Sequence, residues 1–152
     1  DKIDEWKNRW EEEVNKSIIT DSLLFLVKNK RVRISVFVIM SNHVHFIWRA
    51  EQGFYLKDIQ TSFKKFTASG FLKLTTVDNN ESYSVFSADR SHHFWKRNSL
   101  GTELFTPNVF EQKMNYIHEN PVRAGICKFA EDYKYSSACF YKTGVDVFGL
   151  FK

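Results

Sequence analysis

The sequence predicts an α+β fold, an antiparallel sheet with helices packed on one face. Three observations point there. Two strand-like runs, VRISVFVI over residues 32–39 and HVHFIWR over residues 43–49, are separated only by Met40, Ser41 and Asn42, which is the spacing of a hairpin. Leu56, Ile59, Phe63, Phe66 and Gly70 then recur three or four apart, making one apolar helical stripe. A second stripe, Phe110, Met114 and Ile117, follows a Thr106–Pro107 pair, a helix cap and the residue best suited to a first turn.

Taken in order, residues 3–28 are helical in one or two pieces. Trp6, Trp10, Val14 and Ile18 share a face, and Leu23, Leu24, Leu26 and Val27 continue it, with Thr20 or Asp21 able to cap a second piece. The basic run KNKRVR over residues 28–33 marks the helix exit. Its ordinary explanation is a solvated end favoured by the helix dipole, with a binding patch as the alternative. The hairpin follows, and residues 51–53 break the pattern before the second helix. Lys57, Lys64, Lys65 and Lys73 decorate that helix's polar side, as solvated cations or as contacts to phosphate.

Residues 75–92 are a polar loop with a short strand near Val85 and Phe86, and HFWK at residues 93–96 is a further strand. After a loop over residues 98–107, the last long helix ends near Asn120, because Pro121 disfavours helical geometry in the residue before it, and Gly125 closes the turn that follows. The order is helix, strand, strand, helix, strand, helix and a coil-rich tail, without internal repeats, over a single domain of residues 1–152. A ferredoxin-like sheet has a strand before its first helix. Either residues 1–6 supply a short one or the sequence begins after it.

Composition bounds the function classes. The chain has 152 residues, enough for a real core. No apolar stretch is long enough to span a bilayer, and the charged start DKIDEWKNRW lacks the apolar core of a secretory signal. Cys127 and Cys139 show no CxxC spacing and suit a reducing compartment, so the expected location is cytoplasmic. The balance of 22 Lys and Arg against 18 Asp and Glu is a mild basic bias, compatible with nucleic acid. Most of the fifteen Phe, six Tyr and four Trp belong to a core, and an aromatic-rich basic domain is also compatible with stacking on unpaired bases.

The chemistry-bearing stretch is FVIMSNHVHFIW. His43 and His45 are two apart, so on a strand both imidazoles project from one face while Val44 projects from the other. Paired imidazoles make half of a site for a divalent transition metal, or else a hydrogen-bonded pair on a half-exposed strand. The second stretch is KMNYIHENPVRAG. Tyr116 and Asn120 are four apart and share a helix face. Tyr116 lies about 100° around the helix from the core residue Ile117, at the rim of a cleft.

NHVHFIW, YIHENPVRAG and EDYKYSSA together resemble the REP-associated tyrosine transposases, within the single-tyrosine HUH group named for its His-hydrophobe-His strand. The resemblance covers roughly residues 23–141, with the motifs in the family's order. It implies the HUH endonuclease fold, its first strand here missing or degenerate, and a DNA-cleaving and DNA-joining activity on single strands, notably at hairpins such as repetitive extragenic palindromes. It implies Tyr116 as nucleophile, and His43, His45 and Asn120 as ligands of a divalent ion, Mg²⁺ or Mn²⁺. Ligand chemistry alone would also admit Zn²⁺ or Ni²⁺. The partner implied is single-stranded or hairpin DNA, with no membrane role, acting as monomer or homodimer. Ser41 departs from the family's usual proline before Asn-His, which touches the turn and not the ligands. Lys64, Lys65, Trp95, Lys96, His118 and Arg123 are the candidate DNA contacts. His118, two residues from Tyr116, faces away from it on an ideal helix and suits a structural or DNA-contacting role over ligation.

The residue types fit the implied reaction. A phosphodiester is an anionic electrophile with a poor leaving group, so a cation at the phosphate assists both problems. Tyrosine attack gives a 5′-phosphotyrosine and a free 3′-OH, and the phenolate leaves well enough for a 3′-OH to reverse the step. Rival readings meet contrary residues. Metallo-β-lactamase-like hydrolases extend the pair to HxHxDH, and histidine-triad hydrolases need histidine where Ile47 stands. Relaxases carry a third histidine and a tyrosine nearer the N-terminus of a longer chain. A catalytically silent DNA-binding descendant of a transposase remains the alternative from a different class.

Overall fold

A computed structural model of the chain describes residues 13–78 and 106–151. Helix α1 spans Glu13–Lys28, strand β1 Val32–Ile39, strand β2 Val44–Ala50 and helix α2 Leu56–Asp78. Helix α3 spans Pro107–His118, a single turn α4 Asn120–Arg123, a 3₁₀ turn Ala130–Asp132 and a last short helix α5 Ala138–Thr143. The strands expected near Val85 and over residues 93–96, the helical stretch before residue 13 and the candidate strand at residues 1–6 lie outside the described residues.

The hairpin pairs antiparallel, with Ile39 opposite Val44, Val38 opposite His45 and Phe37 opposite Phe46. A bulge between Ile34 and Val36 leaves Ser35 out of the ladder, and the Tyr141 hydroxyl donates to the Ser35 carbonyl at 2.7 Å. Strand β1 is paired on both sides along its second half. Beyond β2, the Ile39 N–H donates to the Tyr135 carbonyl at 2.9 Å, and the Ser137 N–H to the Phe37 carbonyl at 3.0 Å. Val36, Phe37, Val38 and Ile39 are all buried, so β1 is an apolar run of the kind found where both faces are covered.

Phe46 and Trp48 meet Phe63 of α2 edge-on, with ring centroids 5.6 and 5.9 Å apart. Helix α1 packs beside α2 through Gly70, where an added Cβ would lie 2.9 Å from Ile18 Cγ2. This is the helical layer that the α+β reading places on one face. Helix α3 adds a helix on the opposite face, the one from which His43 and His45 project. The core joins Ile19, Leu23 and Leu26 of α1 with β1, Ile59, Phe63 and Phe71 of α2, and Ile117 of α3.

One open alternative is decided and two local expectations need correction. Helix α1 runs through Thr20 and Asp21 without a break, because the Thr20 hydroxyl donates back to the Ser17 carbonyl at 3.0 Å and caps nothing. In α2, Phe66 is 61% exposed while Thr67 is fully buried. The Thr67 hydroxyl satisfies itself on the Phe63 carbonyl at 2.8 Å, so its methyl packs like an apolar group. Helix α2 also continues to Asp78, past the expected loop start at Thr75, since threonine costs a helix only about half a kcal/mol.

Candidate nuclease site

The site forms where the turn end of the hairpin meets the C-terminal end of α3. Thr106 caps α3, accepting from the Val109 N–H at 3.3 Å, with Pro107 in the first turn. At the other end α3 stops at His118 and the chain re-enters a single helical turn at Asn120–Pro121. Gly125, at φ +74, terminates that turn in the left-handed geometry that favours glycine. Ile117 is anchored in the core, which leaves Tyr116 on the rim, 55% exposed.

His43 and His45 lie with ring centroids 5.0 Å apart, and His45 meets the Tyr116 ring edge-on at 6.1 Å. The His43 Nε2 faces the Asn120 Oδ1 at 3.3 Å. Both groups in this contact are oriented by other bonds. The Asn120 amide donates from Nδ2 to the Tyr116 and Ile117 carbonyls at 3.1 and 3.2 Å, which turns its oxygen toward His43. The His43 Nδ1 sits 2.6 Å from the Asn42 Oδ1, an acceptor, so a neutral ring with its proton on Nδ1 would present a lone pair at Nε2. Two lone pairs then converge, and only a proton or a cation between them makes the contact attractive.

That arrangement suits a divalent ion. With bonds of roughly 2.1 Å, neighbouring ligand atoms of an octahedral or tetrahedral ion sit roughly 3.0–3.4 Å apart, and the 3.3 Å separation falls in that range. Among the described residues no group of three or more His, Cys, Asp or Glu gathers as a metal site. The candidate set is instead two imidazoles and a carboxamide oxygen, all neutral, which would leave an ion its full charge for a phosphate.

Arg123 lies over the Tyr116 ring, with its guanidinium carbon 4.3 Å from the centroid. It also donates to the Tyr116 carbonyl at 2.8 Å. It is therefore at the site, but held against the tyrosine and its backbone. His118 is elsewhere: 7% exposed, with Nε2 2.7 Å from the Ser137 hydroxyl and its ring 5.4 Å from that of Tyr141. Burial pushes its pKa down to about 4. So enclosed a ring is positioned to pack and to bond Ser137. Lys64 and Lys65 project from α2, across the sheet from Tyr116, and partial burial lowers the pKa of Lys64. Trp95 and Lys96 lie outside the described residues.

Sequence reasoning passed over Asn42, taken only as a turn residue. Its signal is its place beside a candidate ligand, because a ligating histidine ordinarily donates its second ring N–H to a neighbouring acceptor.

No protein-family model matches the chain, and no curated protein does. Among solved structures, a REP-associated tyrosine transposase bound to a REP hairpin superposes with a TM-score of 0.65 at 14% sequence identity. The match covers 95% of this chain and 77% of that one. At that identity the likeness is one of architecture: the chain is an α+β protein with the fold of an HUH transposase.

Proposed function

We propose that this protein is a metal-dependent single-stranded DNA endonuclease and strand transferase that cleaves through a 5′-phosphotyrosine at Tyr116, with hairpins such as repetitive extragenic palindromes as substrates. The observation that carries the reading is the approach of His43 Nε2 to Asn120 Oδ1 at 3.3 Å, beside a tyrosine that the helix holds at the rim. The matching fold of a transposase solved with a REP hairpin supports the choice of substrate class.

His43, His45 and Asn120 would hold the ion, Mg²⁺ or Mn²⁺, which supplies charge neutralisation at the scissile phosphate. The chain's own residues do the rest. Asn42 holds the His43 ring with Nε2 turned to the site, and α3 presents the Tyr116 hydroxyl to the phosphate. As the Tyr116 oxygen bonds to phosphorus, the bond from phosphorus to the 3′ oxygen breaks. The proton lost by the phenol is balanced by the one the departing 3′-OH gains, and the reverse attack rejoins a strand. No nucleoside triphosphate is consumed.

The test is incubation with a single-stranded DNA hairpin and Mn²⁺. A covalent adduct that survives denaturation is expected from the wild type, with none from Tyr116→Phe and none after EDTA. Hairpin binding by Tyr116→Phe should match the wild type. An adduct retained by Tyr116→Phe removes the nucleophile, and binding without any adduct from the wild type makes the protein a silent DNA-binding relative.

A further inference from the structure

The segment EDYKYSSA, residues 131–138, gives the candidate site neither a ligand nor a nucleophile, yet it holds the strand end from which His43 departs. Bonds to a metal ion tolerate errors of only about 0.2 Å, so His43 must be placed against Asn120 to that precision. Its own turn does not suffice. The Met40 N–H closes the turn on the His43 carbonyl at 2.8 Å. Neither Ser41 nor Asn42, however, takes positive φ, the geometry that matches a two-residue turn to the twist of its strands. Asn42 can set the rotation of the His43 ring, but it rides on the same turn.

The anchoring comes from outside the hairpin. Alternate residues of an antiparallel strand turn their N–H and C=O away from the partner strand, and Ile39, the last residue of β1, is one of them. Its N–H donates to the Tyr135 carbonyl at 2.9 Å, and its carbonyl accepts from the Tyr133 hydroxyl at 2.7 Å. Tyr133 is braced in turn. Its ring meets that of Tyr135 edge-on at 6.3 Å, and the Lys16 ammonium of α1 lies over both rings, 5.6 and 5.1 Å from their centroids. Burial pushes the Tyr133 pKa up to about 12, so the hydroxyl remains a donor at neutral pH. Toward the other end of β1 the Tyr141 hydroxyl holds the Ser35 carbonyl at the same 2.7 Å, about 13 Å down the strand from Ile39.

We infer that Tyr133 is a positioning residue for the metal half of the site: its bond to the Ile39 carbonyl fixes the end of β1, and with it the turn that aims His43 at Asn120. This rests on the reading of His43, His45 and Asn120 as ligands. Tyr133 is no ligand itself, since its hydroxyl proton is committed to Ile39. Without that hydroxyl the Tyr135 bond, the ladder and the packed ring remain, so the loss falls on placement more than on folding.

The test is Mn²⁺ binding by the full chain without DNA, with free ion followed by electron paramagnetic resonance well below the thermal midpoint of each variant. Tyr133→Phe keeps the ring and removes the hydroxyl. It should weaken Mn²⁺ on the order of threefold to tenfold, below the roughly 10–100-fold cost of losing a partner that bonds a ligand directly, because Tyr133 acts through the backbone. Tyr141→Phe removes the same group from the same strand, away from the turn, and should bind Mn²⁺ as the wild type does. Wild-type affinity in Tyr133→Phe, or an equal loss in Tyr141→Phe, overturns the inference while the ligand set stands. A wild type that binds no Mn²⁺ overturns the ligand set, and the inference with it. Should Tyr133→Phe not fold, the wild type decides, because coupling is reciprocal. Mg²⁺ should then slow amide exchange at Ile39 more than at Phe37, and equal slowing at the two overturns the inference.

Discussion

Tyr116 and His118 stand two positions apart on α3 and meet opposite environments, one 55% and the other 7% exposed. The contrast gives each a separate signature. His118 is held near a pKa of about 4 by burial, below its ordinary 6.5. The unfolded chain therefore takes up a proton near pH 6.5 that the folded chain refuses until about pH 4. Its contribution is full above pH 6.5 and is lost as pH falls toward 4, on the order of 2–3 kcal/mol. Urea unfolding followed across that range should show the loss. His118→Gln, which can still bond Ser137 but does not titrate, should flatten it. For Tyr116 the signature is kinetic. The Arg123 guanidinium is tied to the Tyr116 carbonyl and stacked on its ring, which fixes the ring's direction. Arg123→Ala should slow adduct formation roughly five- to tenfold in single turnover, more than it weakens hairpin binding. Arg123→Lys should recover only part of the rate, since an ammonium lacks the planar face.

At the scale of elements, β1 is held by its hairpin partner along one edge and by the segment of residues 135–137 along the other. Ser137 is the hinge of that closure. Its hydroxyl accepts from the Phe37 N–H at 3.0 Å and meets His118 at 2.7 Å, and the residue is 1% exposed. Ser137→Ala leaves a buried N–H and a buried ring nitrogen without this partner, at a cost of about 1–3 kcal/mol in chemical denaturation. A loss below about half a kcal/mol would show that water replaces the hydroxyl. The hairpin, the Thr106 cap, the Asn120–Pro121 break and the buried Ile117 were legible in the sequence because each is written in a local period or a local stop. The pairing of residues 135–137 with β1 was not, because YSS has no alternation and its partners lie about a hundred positions away. Thr67 and Phe66 exchanged their expected places for a related reason: hydropathy does not record a hydroxyl that bonds its own helix.

Across the whole molecule, the candidate ligands bring together parts of the chain that are far apart in sequence. His43 stands at the hairpin turn and Asn120 at the junction of α3 and α4, 77 positions apart. An ion held by His43, His45 and Asn120 would clamp the strand layer to the helix that bears Tyr116. Binding of this kind stabilises the folded state alone, by about 2.7 kcal/mol at one hundred times the dissociation constant. For a chain of this size each kcal/mol moves the thermal midpoint by about 2–4 °C. Saturating Mn²⁺ should therefore raise the midpoint by roughly 5–10 °C. His43→Ala and Asn120→Ala should lose that shift. Tyr116→Phe should keep it in full, because the nucleophile is not a ligand. A midpoint indifferent to Mn²⁺ in the wild type, or a shift that survives both ligand substitutions, would leave the 3.3 Å contact as a protonated His43 bonded to Asn120. The measurement needs no DNA, so it judges the ligand set independently of whether a substrate has been found.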